Sequence, residues 1–324
     1  MVAFILRRLA QGAIVVGLAA TIVFLLIHLA PGDPFAGWID ESSLDPAVRS
    51  QWREAYGLGE SLPTQYLRYV VNVMRGDLGF SLSMQRPIQD VLVDALPNTL
   101  LLMGVALTLS FSGGILAALA QAGNAGRFGD RAIGGVAMLL FSVPDFLLAM
   151  LVLAVFAYWI PLFPIGGAID PILHDSMSRP ARFGDRARHL VLPALTLSLL
   201  YFPIIARHQR AALRDVMPSD FVSMARAKGV SERQLLYSHG LRIALLPVIA
   251  MLGVAFPALL TGAVFVEKVF SWPGMGLVTV NAIGKRDYLL VTAVVILGSA
   301  FVVIGSIIAD TLYKALDPRL RDER

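Results

Sequence analysis

The side chains that catalysis and ligand binding use are few in this chain and badly spaced for either. Five histidines, His28, His174, His189, His208 and His239, show no H-E-x-x-H or other metal-ligand spacing. No G-x-S-x-G nucleophile motif occurs, and no carboxylate pair stands at catalytic spacing within an apolar run. Cysteine is absent, which excludes a thiolate nucleophile, a thiolate metal site and a disulfide framework. None of the four lysines sits in a G-x-x-x-x-G-K-[ST] loop; Gly284-Lys285 is followed by Arg286 and lacks the upstream glycine, so no ATP site is expected in the chain itself. Two features remain. Asp145, directly after Pro144, lies near the middle of an apolar run, where a charge is costly unless it faces water or a partner, and this points to a pore-facing role. Residues 219–247 form a basic, glycine-punctuated segment between two long apolar runs.

The elements that carry these features are membrane spans. Apolar residues make up 56% of the sequence and charged ones 15%, and the mean hydropathy is +0.70, the composition of a polytopic membrane protein. Six apolar runs, over 9–29, 99–120, 132–160, 190–206, 243–266 and 288–312, come close to the roughly 20 residues that a bilayer requires. The first follows Arg7 and Arg8 and is longer than a signal-peptide core, so an uncleaved helix ending at Pro31 and Gly32 is expected. Residues 1–30 are then a first span, 31–97 an extracytoplasmic insert, 98–313 a five-helix core and 314–324 a tail. The insert carries Trp38, Trp52, Tyr56, Tyr66 and Tyr69, with short helices expected over 44–56 and 64–74. A net charge of +4 is explained by arginines at helix ends and calls for no nucleic-acid partner. The short loop 207–242 alone holds seven basic residues, which places it, and both termini, in the cytosol by the positive-inside bias. Glu267, Lys268 and Trp272, at the outer end of the fifth run, read as interfacial anchors, and Asp310 as a residue near the inner surface.

Local signals divide the loop into two helices. Ser219 is placed to N-cap a helix over 220–228, with Asp220 at its positive end and Arg226 and Lys228 at its negative end. Gly229 suits a left-handed stop, and the capping box Ser231-Glu232-Arg233-Gln234 starts a second helix that meets Pro247 as it enters the membrane. Phe221, Val222, Met224 and Ala225 fall on one side of the first helix, with Arg226 and Lys228 off that face. Periodicity alone leaves two readings of this peg open, a helix resting on lipid headgroups and a helix docked to a protein.

The residues themselves favour the second. The string D-F-V-S-M-A-R-A-K-G-V-S over 220–231, followed by H-G-L-R-I-A-L-L-P over 239–247, resembles the cytoplasmic signature loop of binding-protein-dependent ABC importer permeases, in the dipeptide/oligopeptide/nickel permease variant. The likeness runs the full length: F-I-L-R-R-L at 4–9, H-L-A-P-G-D-P at 28–34, R-G-D-L-G-F-S-L at 75–82, L-P-N-T-L at 96–100, S-V-P-D-F at 142–146, L-P-A-L-T-L at 192–197, F-V-E-K-V-F-S-W-P-G-M-G at 265–276, K-R-D-Y at 285–288 and L-D-P-R-L at 316–320. The resemblance implies an all-α type I ABC importer transmembrane fold with six transmembrane helices in a bacterial inner membrane. It also implies a coupling helix seated in a cleft of an ATP-binding subunit. The family's small pair before the glycine falls on Ala225 and Ala227, the glycine on Gly229, and the closing Leu-Pro on Leu246 and Pro247. The acid that heads the general signature is missing; Ser223 and Met224 stand there, and Asp220 is the nearest carboxylate.

Such a protein binds no cofactor of its own, while ATP and Mg are used by two ATP-binding cassette subunits. A second homologous permease subunit completes the pore within the lipid bilayer, and an extracytoplasmic solute-binding protein delivers short peptides, glutathione-like peptides or nickel chelates. An ion-coupled secondary transporter, with Asp145 as its proton site, is the rival from another class; six helices without an evident inverted repeat argue against it. An intramembrane enzyme lacks its motifs.

Overall fold

Long apolar runs become long helices because, without water, the backbone must satisfy its hydrogen bonds within each segment. The computed structural model describes residues 2–29, 60–81 and 83–316. The helix expected over 44–56 and the side chains of Trp38, Trp52 and Tyr56 lie outside them. The elements are α1 (Val2–Leu29), α2 (Leu62–Met74), a hairpin of β1 (Phe80–Ser81) and β2 (Arg86–Pro87), α3 (Ile88–Gly123), α4 (Phe128–Ser142), α5 (Asp145–Leu153), α6 (Arg179–Val216), α7 (Asp220–Ala227), α8 (Glu232–Gln234), α9 (Leu241–Ala250), α10 (Leu252–Val269), α11 (Met275–Gly284) and α12 (Tyr288–Leu316). The hairpin pairs Phe80 with Pro87 and Ser81 with Arg86 in antiparallel register; all other regular structure among the described residues is helical.

Among the described residues, four helices are long and apolar enough to cross a membrane, over Leu6–Leu29, Ile88–Gly123, Arg179–Val216 and Tyr288–Thr311. The two remaining expected runs are broken. The run 132–160 divides at Val143-Pro144 into α4 and α5, bent by 108°, and closes in a π-helical turn at Ala154–Trp159. Pro144 has no N–H to donate and holds extended backbone at ψ 142°, which ends α4. The run 243–266 divides between α9 and α10 at Met251.

The chain forms two compact units, Met1–Pro97 with Val278–Val303, and Asn98–Leu277 with Ile304–Arg324. In the first, Gly12 lets α1 approach α12, since a Cβ there would collide with the Val303 side chain. Phe24 packs against Tyr66 and Tyr69 of α2, and Thr21 hydrogen-bonds the Tyr66 hydroxyl at 2.7 Å. Asp287 caps α12 through Leu290 N–H at 3.3 Å and also accepts Ser81 Oγ–H at 2.6 Å and Ser83 N–H at 3.0 Å, which ties the hairpin down.

The second unit holds the main core. Leu102, Met103 and Ala106 of α3 meet Leu148, Ala149 and Val152 of α5, Leu192 and Leu197 of α6, and Val266, Phe270 and Trp272 at and beyond the end of α10. Gly114 brings α3 against α6, because a Cβ would stand 2.8 Å from that of Ile205. A smaller cluster joins Ala118 and Leu119 of α3 to Leu213, Leu236 and Ala244, within and just beyond residues 207–242.

The charged end of the fifth run corrects the anchoring role expected of it. Glu267 is 0% exposed and accepts Thr99 Oγ–H at 2.7 Å, Gly276 N–H at 2.7 Å and Leu277 N–H at 3.1 Å, so its carboxylate caps α11 from within the protein. Trp272 is buried as well, and its indole N–H donates to Asn98 O at 3.1 Å. Both side chains are thus enclosed by protein, while Lys268 beside them remains exposed.

Candidate functional site

The loop between α6 and α9 holds the sequence-predicted site, and each of its parts has a local cause. Ser219 has the extended backbone of an N-cap, φ −65° and ψ 154°, and α7 begins at Asp220, where the acid complements the helix dipole. The Ser219 hydroxyl does not cap, however. It donates backward to Val216 O at 2.5 Å, so α7 is started by backbone geometry and charge. α7 ends at Ala227 with Lys228 as C-cap, one residue short of the expected end, and Gly229 follows at φ +84°. Gly229 N–H donates to Arg226 O at 3.0 Å and Val230 N–H to Ala225 O at 3.3 Å, which closes the left-handed stop.

Ser231 then caps the next segment, its hydroxyl accepting Gln234 N–H at 3.4 Å. The second helix departs from the expected course. α8 is three residues long and passes into a π-helical turn at Leu235–Gly240 before α9 continues, and α9 runs through Pro247 to Ala250. The irregularity therefore lies upstream of the proline. Leu235, Leu236 and Gly240 are buried, and Gly240 comes so close to Met217 that a Cβ would stand 2.8 Å from its sulfur. The widened turn thus coincides with the point where these three residues pack.

The four apolar residues of α7 do not share one fate. Val222 is 0% exposed and Ala225 is half-buried, while Phe221 remains 40% and Met224 60% exposed. Val222 thus fastens the peg, and Phe221 and Met224 are left as an apolar tip. Burying Val222 stabilises this seating by about 1.5–3 kcal/mol. Arg226 forks onto Glu232, Nε to Oε1 at 2.5 Å and Nη2 to Oε2 at 3.2 Å, so α7 and α8 are joined across the glycine stop. The Arg226 side chain bonds to Glu232 and holds its carboxyl below the usual carboxylate range. Ser223, Ala227 and Lys228 are exposed. Sequence reasoning missed Gln209, which is fully buried and donates from Nε2 to Ala244 O at 3.1 Å, tying α6 to α9 beneath the peg. It also missed Tyr237, half exposed, with the Arg233 guanidinium 5.9 Å above its ring.

Asp145 and Pro144 stand apart from this loop. Asp145 is exposed at the first turn of α5, at the 108° break, where free N–H groups favour a carboxylate. It does not lie in the middle of a continuous span.

The fold thus combines apolar spans, one interrupted pair and a buttressed peg on a connecting loop. The same fold is found in the inward-facing MetNI methionine ABC transporter, with a TM-score of 0.55 and 17% identity over 70% of this chain and 96% of that one. Residues 110–322 match the family described as binding-protein-dependent transport system inner membrane component, and residues 1–103 match its N-terminal counterpart. The chain belongs to this family. Among its relatives, the oligopeptide transport system permease protein AppB of Bacillus subtilis is 35% identical over 99% of both chains. The di/tripeptide transport system permease protein DppB of Pseudomonas aeruginosa is 33% identical over the whole of both. The glutathione transport system permease protein GsiC of Escherichia coli K12 is 33% identical over 99% of both.

Proposed function

We propose that this chain is a pore-forming subunit of an ATP-driven importer for short peptides, and that α7 transmits the conformational change of a partner ATPase to the bundle. The observation that carries the reading is the peg itself: an apolar tip of Phe221 and Met224, held out by the burial of Val222, the Arg226–Glu232 pair and the Gly229 stop. Exposed apolar side chains on a rigid base suit insertion into a protein cleft. The arrangement asks nothing of the missing acid at the head of the signature.

In this reading the chain binds no ATP. Two ATP-binding cassette subunits hydrolyse it with Mg and shift the bundle between inward- and outward-facing states, which requires that ATP favour one state over the other. A second permease subunit completes the pore, and an external solute-binding protein delivers cargo to it. The loop 207–242 and both termini face the cytosol, residues 31–97 form an external insert, and Asp145 with Pro144 borders the pathway at the break between α4 and α5. Relatives named for oligopeptides, di/tripeptides and glutathione stand at 33–35% identity, so short peptides are the common cargo class and glutathione-like peptides the second reading.

The test is reconstitution of the co-purified complex in proteoliposomes. ATP-dependent peptide uptake is expected, with hydrolysis stimulated by the loaded binding protein, and mass spectrometry of the ligand held by that protein identifies the cargo. Uptake driven by a proton gradient without ATP would overturn the reading in favour of a secondary transporter.

A further inference from the structure

A cavity of about 270 Å³ lies between α4 and α6. Its wall is apolar, formed in part by Met138, Phe141 and Ile204, and its rim carries Arg207, Arg210 and Gln121. Asp130 organises the rim. It accepts Arg210 Nη2–H at 2.7 Å, Gln121 Nε2–H at 3.1 Å and Gly126 N–H at 3.0 Å, so the Arg210 charge is compensated within the protein. Arg207 is different. Its guanidinium lies 5.6 Å above the Phe141 ring, and no ion pair engages it among the described residues. One uncompensated positive charge therefore stands at the mouth of an apolar cavity, beside the remaining N–H groups of Arg210.

The depth of this charge is fixed by the sequence. Arg207 directly follows the apolar run 190–206, so it sits where a span leaves the hydrocarbon, at the level of the headgroups. The α4 surface at the cavity exposes Val136, Met138, Leu139 and Phe141, apolar side chains suited to contact with acyl chains. Basic pockets between spans, with apolar walls, recognise anionic lipid headgroups. A single free cation matches a singly charged phosphodiester better than a dianion.

We infer that the cavity between α4 and α6 is a binding site for one anionic phospholipid, its phosphodiester on Arg207 and Arg210 and an acyl chain along Met138 and Phe141. The inference depends on α6 spanning the membrane with α4 beside it, and not on the coupling role of α7. Loss of a charge-assisted hydrogen bond at such a site corresponds to about tenfold or more in affinity.

The test is native mass spectrometry of the full chain, released with its co-purifying subunits from nanodiscs of mixed phosphatidylglycerol and phosphatidylcholine. One retained phosphatidylglycerol per chain is expected, undisplaced by inorganic phosphate. Arg207→Ala should lower retention about tenfold, Arg207→Lys should keep most of it, and Arg214→Ala, whose exposed arginine lies on the same helix but off the cavity, should change nothing. Arg207 is exposed, so its replacement leaves the fold intact, which gel filtration of the complex checks. Equal retention of phosphatidylcholine, an undiminished signal in Arg207→Ala, an equal loss in Arg214→Ala, or no lipid at all because another subunit covers the face would each overturn the site.

Discussion

Single residues at the peg are expected to act on coupling more than on folding. Gly229 sits at φ +84°, where an L-residue costs roughly 1–2 kcal/mol, and its N–H is bonded to Arg226 O. Gly229→Ala should therefore strain only the stop, whereas Gly229→Pro removes the donor and forces φ near −65°, re-aiming α7. Gly229→Pro, and Ala225→Glu on the half-buried side of the same helix, should leave the chain in the membrane and abolish most ATP-dependent uptake while basal ATPase activity persists. Normal transport in both variants would remove the coupling role from α7. At Glu267 the expected effect is the reverse. Glu267→Ala strands the N–H groups of Gly276 and Leu277 and the Thr99 hydroxyl in a buried site, a cost of about 1–3 kcal/mol. It should lower the thermal midpoint of the purified protein, with Glu267→Gln recovering part of the loss; a midpoint unchanged in Glu267→Ala would mean that the cap carries no weight. The signal for this buried role was in the sequence, in the glycines of W-P-G-M-G. A Cβ on Gly274 would collide with the Glu267 carboxylate, and one on Gly276 would stand 2.6 Å from Val264 Cα. A charge flanking an apolar run reads as an anchor because its partner Thr99 is 168 residues away.

Elements differ in how far local chemistry specifies them. α7 and its glycine stop follow from capping, dipole and backbone preferences within a dozen residues, and α2 begins at Leu62 close to its expected start because Pro63 suits a first turn. The π-helical turn at Leu235–Gly240 has no such source; it packs against Met217 and the cluster around Leu213, which no local window contains. Pro247 drew attention to the wrong place, since the surrounding helix accommodates it. A loop element offers a test by pH. Asp170 accepts the N–H groups of Leu173 and Ile172, each at 2.9 Å, and these bonds, partly offset by burial and by Asp185, hold its carboxyl below the usual carboxylate range. A depressed carboxylate stabilises the fold fully above its ordinary range, and that contribution is lost as pH falls through the lowered value. Protection against hydrogen exchange over 170–176, taken relative to the intrinsic rate at each pH, is therefore expected to be high at neutral pH and to fall in acid, and Asp170→Asn should flatten that dependence. Equal pH profiles for the two proteins would show that the turn is held by other contacts.

At the scale of the whole molecule, orientation in the membrane decides what every surface faces. The positive-inside count rests on seven basic residues in the loop 207–242, and the proposed orientation sets the loop 161–178 on the opposite side. The absence of cysteine makes this directly measurable, because a single introduced thiol is labelled without background. Met224 at the tip of α7 and Ile172, which is 84% exposed in the loop before α6, are both accessible and lie at opposite ends of that helix and its extensions. In intact spheroplasts a membrane-impermeant maleimide should label Ile172→Cys and leave Met224→Cys unmodified, and lysis should expose Met224→Cys. Co-expression of the ATPase subunits should then protect Met224→Cys again, since a peg seated in a cleft is shielded on its apolar tip. Labelling of Met224→Cys from outside would invert the orientation and take the peg away from any cytosolic motor. Labelling after lysis with no protection by the ATPase would keep the orientation and reject the docking, so the two claims stand or fall separately.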